Sequence, residues 1–308
     1  MTASNRGFGC KMLSVGPFCV VMSKSRSMSH RFVTTLIVLL AILTLANELL
    51  CKTAEKYEER ATELRSKLKG RGFTVLVEKP FVVIGDEPEE RVRQWAEDVI
   101  RGTVTRLKKD YFQKDPADML EIWLFKDETS YRSHAKEFFN DDPDTPYGYF
   151  SPSKKALIMN IATGGGTLVH EIVHPFVAAN FPNCPAWFNE GLGSLYEQSG
   201  TVNGHIYGYT NWRLAGLQKS LKNDSVPTFK VLTGMSDKDF YGGSNYAQAR
   251  YLCYYLQEKG LLVRFYREFA ANSKTDPTGY KTLQRVLRVR DMAAFQRRWE
   301  AFVLKLVY

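Results

Sequence analysis

His170 and His174 stand four residues apart, with Glu171 directly after the first of them. On a helix, positions four apart differ by about 40° in direction and about 6 Å in height, so both imidazoles share one side and can grip a single ion. Glu171 falls on the flank of that face, where a carboxylate could take the proton of a water attacking a carbonyl. Two histidines are one short of the three protein ligands that a catalytic zinc ion usually takes, its fourth position staying open. Glu190, sixteen residues after His174, is the natural third. Phe181-Pro182-Asn183 can end one helix and Pro185 can begin another, because the first helical turn makes no use of the missing N–H. Two helices joined by so short a turn could set Glu190 opposite the histidine pair, giving a site for one zinc ion per chain.

The run His170-Glu171-Ile172-Val173-His174, followed by Trp187-Phe188-Asn189-Glu190-Gly191, resembles the paired motifs of the gluzincin metallopeptidases, the thermolysin-like group of the MA type. The resemblance covers roughly residues 145–255. It implies that His170, His174 and Glu190 hold zinc, that Glu171 is the general base, and that the chain hydrolyses peptide or protein substrates. Members of this group often set a later tyrosine or histidine against the oxyanion, which points to Tyr246, with Tyr241 or a purely structural tyrosine as the alternatives. Gluzincins also lay an extended substrate along an edge strand beside the cleft. Where related aminopeptidases carry a glutamate for the free amino terminus, this chain has Met159-Asn160-Ile161, which argues for cleavage inside a chain. Ser194 replaces the aspartate that orients a histidine ligand in thermolysin-type members, so that task falls to Asn189, to Glu197 or to neither. Pro175 removes the helix bond to the carbonyl of Glu171 and predicts a kink past the second ligand. A reading of another class is a catalytically inactive relative that binds an extended peptide or a cell-envelope component in the same cleft.

The surrounding periodicities predict an α+β fold, with a small mixed β-sheet and helices in the N-terminal half, the HExxH helix at the centre and an all-helical C-terminal half. Strands are expected at 73–77, 81–85 and 119–125, and a hairpin at 147–150 and 156–160. Helices are expected at 89–112, 128–139, 212–221, 246–259, 261–271, 280–289 and 292–307. Thr167 is a candidate cap for the histidine helix and Asp291 for the last one. His134 and His205 read as surface residues, His205 in a glycine-rich loop.

The net charge is +9, but five of those charges sit in residues 1–47, which contain no acidic residue. Nothing in the remainder forms a nucleic-acid stripe. Phe32 to Ala46 is an apolar run behind a basic flank, so residues 32–50 read as a signal-anchor or a signal peptide, with everything after them outside the cytoplasm. Thr44 is large for the outer position of a cleavage site after Ala46, which favours an uncleaved membrane anchor over secretion. Leu50 before Cys51 argues against lipidation. The expected division is a basic segment (1–31), the anchor (32–50), a charged stalk or a first helix packed on the domain (51–70), an α/β subdomain (71–166) and a helical subdomain (167–308). Five cysteines show no knuckle spacing, and only Cys184 and Cys253 lie where a bridge within the folded part could form. Met28-Ser29-His30-Arg31 would make a compact start to an export signal; translation from Met28 predicts an intact mass without the first 27 residues.

Overall fold

Helix α1 (54–67) places Tyr57, Ala61 and Leu64 on one face, followed by Leu68, and all four are buried. The expectations placed on residues 1–51 lie outside the computed structural model, which describes Lys52, residues 54–241 and residues 245–308. After α1 come β1 (Thr74–Glu78) and β2 (Phe81–Gly85), paired antiparallel across the turn at Lys79-Pro80. Helix α2 (Glu89–Gln94) passes through a π-helical stretch, Trp95–Arg101, into α3 (Gly102–Asp110), and the chain then enters β3 (Leu120–Phe125). Two glutamates in the first turn of α2 favour its start through the helix dipole. Helix α4 (Glu128–His134), capped by the Asp127 carboxylate on the Ser130 N–H at 2.8 Å, leads to the hairpin β4 (Gly148–Ser151) and β5 (Ala156–Asn160).

The strands form one mixed sheet in the order β1-β2-β3-β5-β4, parallel where β2, β3 and β5 meet and antiparallel at both edges. β2 and β5 are buried at every position, as strands covered on both faces must be. Alternation sorts their side chains. Val82, Ile84, Trp123, Phe125, Ala156 and Ile158 face α1 and α4, whereas Phe81, Val83, Ile122, Leu124, Leu157 and Met159 join the larger core with α2, α3 and the helices that follow.

Those helices are α5 (Gly166–Asn180), α6 (Ala186–Tyr196), α7 (Arg213–Lys222), α8 (Phe229–Gly234), α9 (Asp237–Tyr241), α10 (Asn245–Glu258), α11 (Leu262–Asn272), α12 (Tyr280–Leu287) and α13 (Met292–Val303). Asp291 caps α13 as expected, accepting from the Ala294 N–H at 2.9 Å. The fold is α+β with a helical C-terminal half. That half also holds one hairpin, β6 (Ser199–Val202) with β7 (His205–Gly208), which hides in sequence behind glycines and strands of four residues.

One open alternative is decided and one expectation changes. The charged segment is no free stalk, since its apolar stripe closes one face of the sheet. Residues 53–308 form one compact unit. His134 is half-buried, its ring stacked between Phe125 and Phe138 at 5.3 Å from each. Leu64 is 1% exposed, so Leu64→Ala is expected to cost about 2–5 kcal/mol in urea unfolding; a loss near zero would mean that α1 does not pack in solution.

Candidate metal centre

β5 feeds the short turn Ile161–Thr163 and then α5, which carries His170, Glu171 and His174. Its cap is Gly165 rather than Thr167, and no side chain bonds there. The reason is crowding: a Cβ on Gly166 would lie 2.4 Å from the carbonyl oxygen of Glu197, so the entry to α5 is built around glycine. The helix runs on through Pro175 to Asn180. Asn180 then closes the turn, its side-chain amide donating to the carbonyls of Phe176 at 2.9 Å and Lys114 at 2.8 Å. Pro185 caps α6 from just outside the helix, in an extended conformation, rather than occupying the first turn.

The two helices bring the three expected ligands together. Glu190 Oε2 lies 3.1 Å from His170 Nε2 and 3.8 Å from His174 Nε2. One ligand atom from each residue falls within 4.8 Å of the others. Ligand atoms around a tetrahedral zinc ion with bonds of about 2.0–2.1 Å are about 3.3 Å apart, so the trio fits a metal of that size. Glu171 Oε2 stands 3.9 Å from His174 Nε2, beside the same point.

Both imidazoles are held from behind. His174 Nδ1 lies 3.0 Å from Asn189 Oδ1, and His170 Nδ1 lies 3.1 Å from Glu197 Oε1. Each contact leaves Nε2 facing the shared point, the tautomer a metal requires. Asn189 and Glu197 thus divide the task that Ser194 cannot perform. Glu190 and Glu197 are seven residues apart, two turns on one face of α6, and they bracket the His170 ring. Gly193 is the seat between them: a Cβ there would sit 3.2 Å from three atoms of the ring.

Sequence reasoning missed the next layer. Arg213 grips Glu197 with two parallel bonds, Nε to Oε2 at 3.1 Å and Nη2 to Oε1 at 2.8 Å, and Asn211 donates to Oε2 at 3.2 Å. Tyr241 donates to Glu190 Oε1 at 2.9 Å, leaving Oε2 for the histidine side. Arg250, fully buried, donates to the carbonyls of Ser194 at 2.9 Å and Leu195 at 3.4 Å and so fixes the end of α6. No spacing rule marks Asn211, Arg213 or Arg250, because they meet α6 only in the folded chain, and Tyr241, a candidate for the oxyanion, is found on Glu190 instead.

The charges reinforce one another. Burial works against a cationic His170, yet hydrogen bonds to Glu190 and Glu197 and the charge of Glu171 raise its pKa to about 10. Burial likewise opposes charge on Glu197, but His170 and Arg213 hold its pKa down to about 2. Glu190 also stays below the ordinary carboxylate range against its burial, through His170, His174 and Tyr241. The pocket therefore favours a cation at its centre. Burial first, and the Glu190 charge second, push both Tyr241 and Tyr246 upward, so each keeps its proton and remains a donor.

The tyrosines part in role. Tyr241 is committed to Glu190, whereas Tyr246 lines a cleft of about 820 Å³ together with His170 and Glu171. Tyr147 and Gly148, at the start of edge strand β4, line the same cleft. Asn160 does not serve a substrate, since it is buried and bonds to Pro146 O at 2.8 Å and Ala162 N at 3.2 Å. His205 lies on strand β7 rather than in a loop, bonded to Asp110. Cys184 and Cys253 are free thiols, so the pairing left open by the sequence is not made. Among the described residues no helix is long and apolar enough to cross a membrane.

A comparison with protein-family models finds no match to this chain, and a comparison with curated proteins finds none. The class of site is defined by its own donors: two imidazoles and a carboxylate, converging as a set that could hold a metal ion. Glu190→Ala is expected to abolish one-to-one metal binding in metal analysis of protein offered zinc. Glu197→Gln should weaken metal affinity by about 10–100-fold, the usual effect of removing a group behind a histidine ligand. Equal affinity in the Gln variant would mean that Glu197 does not orient His170.

Proposed function

We propose that this chain is a zinc-dependent peptidase that cuts within peptide chains. The observation that carries the reading is the position of Glu171: a carboxylate 3.9 Å from His174 Nε2, at the mouth of a converging His-His-Glu set and open to the cleft. His170, His174 and Glu190 would hold the zinc ion, which would supply Lewis acidity for polarising a carbonyl and acidifying water.

The protein's own groups account for the rest. Glu171 takes the proton of the attacking water at its carboxylate and can hand it to the leaving amine. Tyr246, protonated and on the cleft, is the donor available to the developing oxyanion. Among the described residues no strand pairs with the outer edge of β4, along which an extended backbone could pair, and Tyr147 and Gly148 line the cleft at that strand's start. Asn189, Glu197 and Tyr241 keep the ligands aimed. The apolar run at residues 32–50 would tether the domain to a membrane or export it.

Glu171→Gln separates this reading from a binding protein with the same metal. Cleavage of a diverse peptide mixture is expected to fall by at least about 1,000-fold while zinc content stays at one per chain. Cuts that persist undiminished in the variant, or zinc in both proteins with no cuts in either, would overturn the peptidase assignment.

A further inference from the structure

One wall of the cleft is formed by the π-helical stretch Trp95–Arg101, through Asp98 and Val99, and by α3, through Thr103 and Arg106. Trp95 and Val99 pack against Gly165 at the start of α5, and Asp110, at the far end of α3, anchors β7 through the Ile206 N–H at 3.0 Å. Arg106, on α3, lines the cleft together with Gln198 and Ser199.

Its charge has no counterpart. The cleft lining holds two guanidinium groups, and Arg213 is occupied by Glu197. Arg106 makes no ion pair among the described residues, and its enclosed Nε has no hydrogen-bond partner. Asp98 is on the same wall but two turns back, about 12 Å along the axis, and does not reach it. The head group is nonetheless placed: its terminal nitrogens lie 3.1 and 3.2 Å from where a Cβ on Gly102 would stand. One turn before it, Thr103 is 2% exposed, lines the cleft and makes no side-chain hydrogen bond among the described residues. An enclosed donor without an acceptor costs about 1–3 kcal/mol, more when charged, so a wall that keeps Arg106 Nε in that state is built for an acceptor arriving from outside.

We infer that Arg106, with Thr103 beside it, binds a carboxylate of the peptide lying in the cleft. A guanidinium offers a fixed fork to two carboxylate oxygens, a fit that neither a neutral amide nor an apolar side chain can use. The carboxylate is either the C-terminus of a short substrate or an Asp or Glu side chain within a longer one. The inference deepens the peptidase reading by naming the substrate class and rests on the cleft being a peptide site.

The test uses full-length, zinc-loaded Glu171→Gln protein, so that peptides are bound and not consumed. It is equilibrated with a pool of N-acetylated hexapeptides, each made as the free acid and as the amide, with and without Asp or Glu, and the retained peptides are counted by mass spectrometry. Carboxylate-bearing peptides are expected to be enriched about tenfold or more. Adding Arg106→Gln should remove that enrichment at unchanged zinc content, and Arg106→Lys should keep part of it. Enrichment that follows the free-acid form identifies a chain terminus; enrichment that follows Asp or Glu identifies a side chain. Equal retention of neutral amides, a bias that survives Arg106→Gln, or no retention at all would overturn the inference. Carboxylate enrichment alongside an unmodified protein that cuts nothing in the pool would end the peptidase reading and leave this subsite standing.

Discussion

The imidazole of His170, clasped between Glu190 and Glu197 on one face of α6, is the interaction on which the site depends. His170 is 7% exposed and Glu190 6%, so neither charge has much water to lean on. An isolated ion in such a place costs several kcal/mol, and the group is tolerable only when every member is matched. Arg213 and Asn211 neutralise Glu197 from outside, Tyr241 occupies the spare oxygen of Glu190, and a divalent cation at the centre would satisfy the nitrogen and oxygen atoms that converge there. Gly193 is what lets the ring approach, because any side chain would fill its seat.

Helix α6 must therefore be held rigidly, and two devices do it. Gly191 lets α10 come so close that an added Cβ would stand 3.0 Å from the Ala249 carbonyl oxygen. Arg250, from that same helix, binds the carbonyls at the end of α6, where the helix dipole favours a cation. On the other side, β5, an inner strand beside edge strand β4, is buried at every position and leads into α5. Ligands thus stand on rigid elements, while the groups that would meet substrate, Tyr246, Tyr147 and Arg106, line the open cleft.

What the sequence discloses follows from range. His170, Glu171 and His174 were legible because helix geometry alone aligns them, and Glu190 because a five-residue turn leaves few ways to place it. Asn189 and Glu197 were visible as candidates, but only the approach of α5 to α6 decides that both are used. Arg213, Arg250 and Arg106 gave no signal, since an arginine's partner, or lack of one, is a property of the folded chain. The stripe Tyr57, Ala61, Leu64 and Leu68 was plain, yet a stripe does not say what it covers, and the sheet face supplied the answer. Strand existence was readable from β-branched runs, whereas the order β1-β2-β3-β5-β4 and the hairpin β6–β7 depend on pairings that no local pattern encodes.

The central claim, that His170, His174 and Glu190 together hold a zinc ion, is tested most directly by zinc K-edge X-ray absorption on protein loaded with one equivalent of metal. The account predicts a shell of nitrogen and oxygen at about 2.0–2.1 Å, with the outer-shell signature of two imidazoles and no sulfur. A sulfur shell at about 2.3 Å, drawn from the free thiols Cys184 or Cys253, or a shell without imidazole, would contradict it.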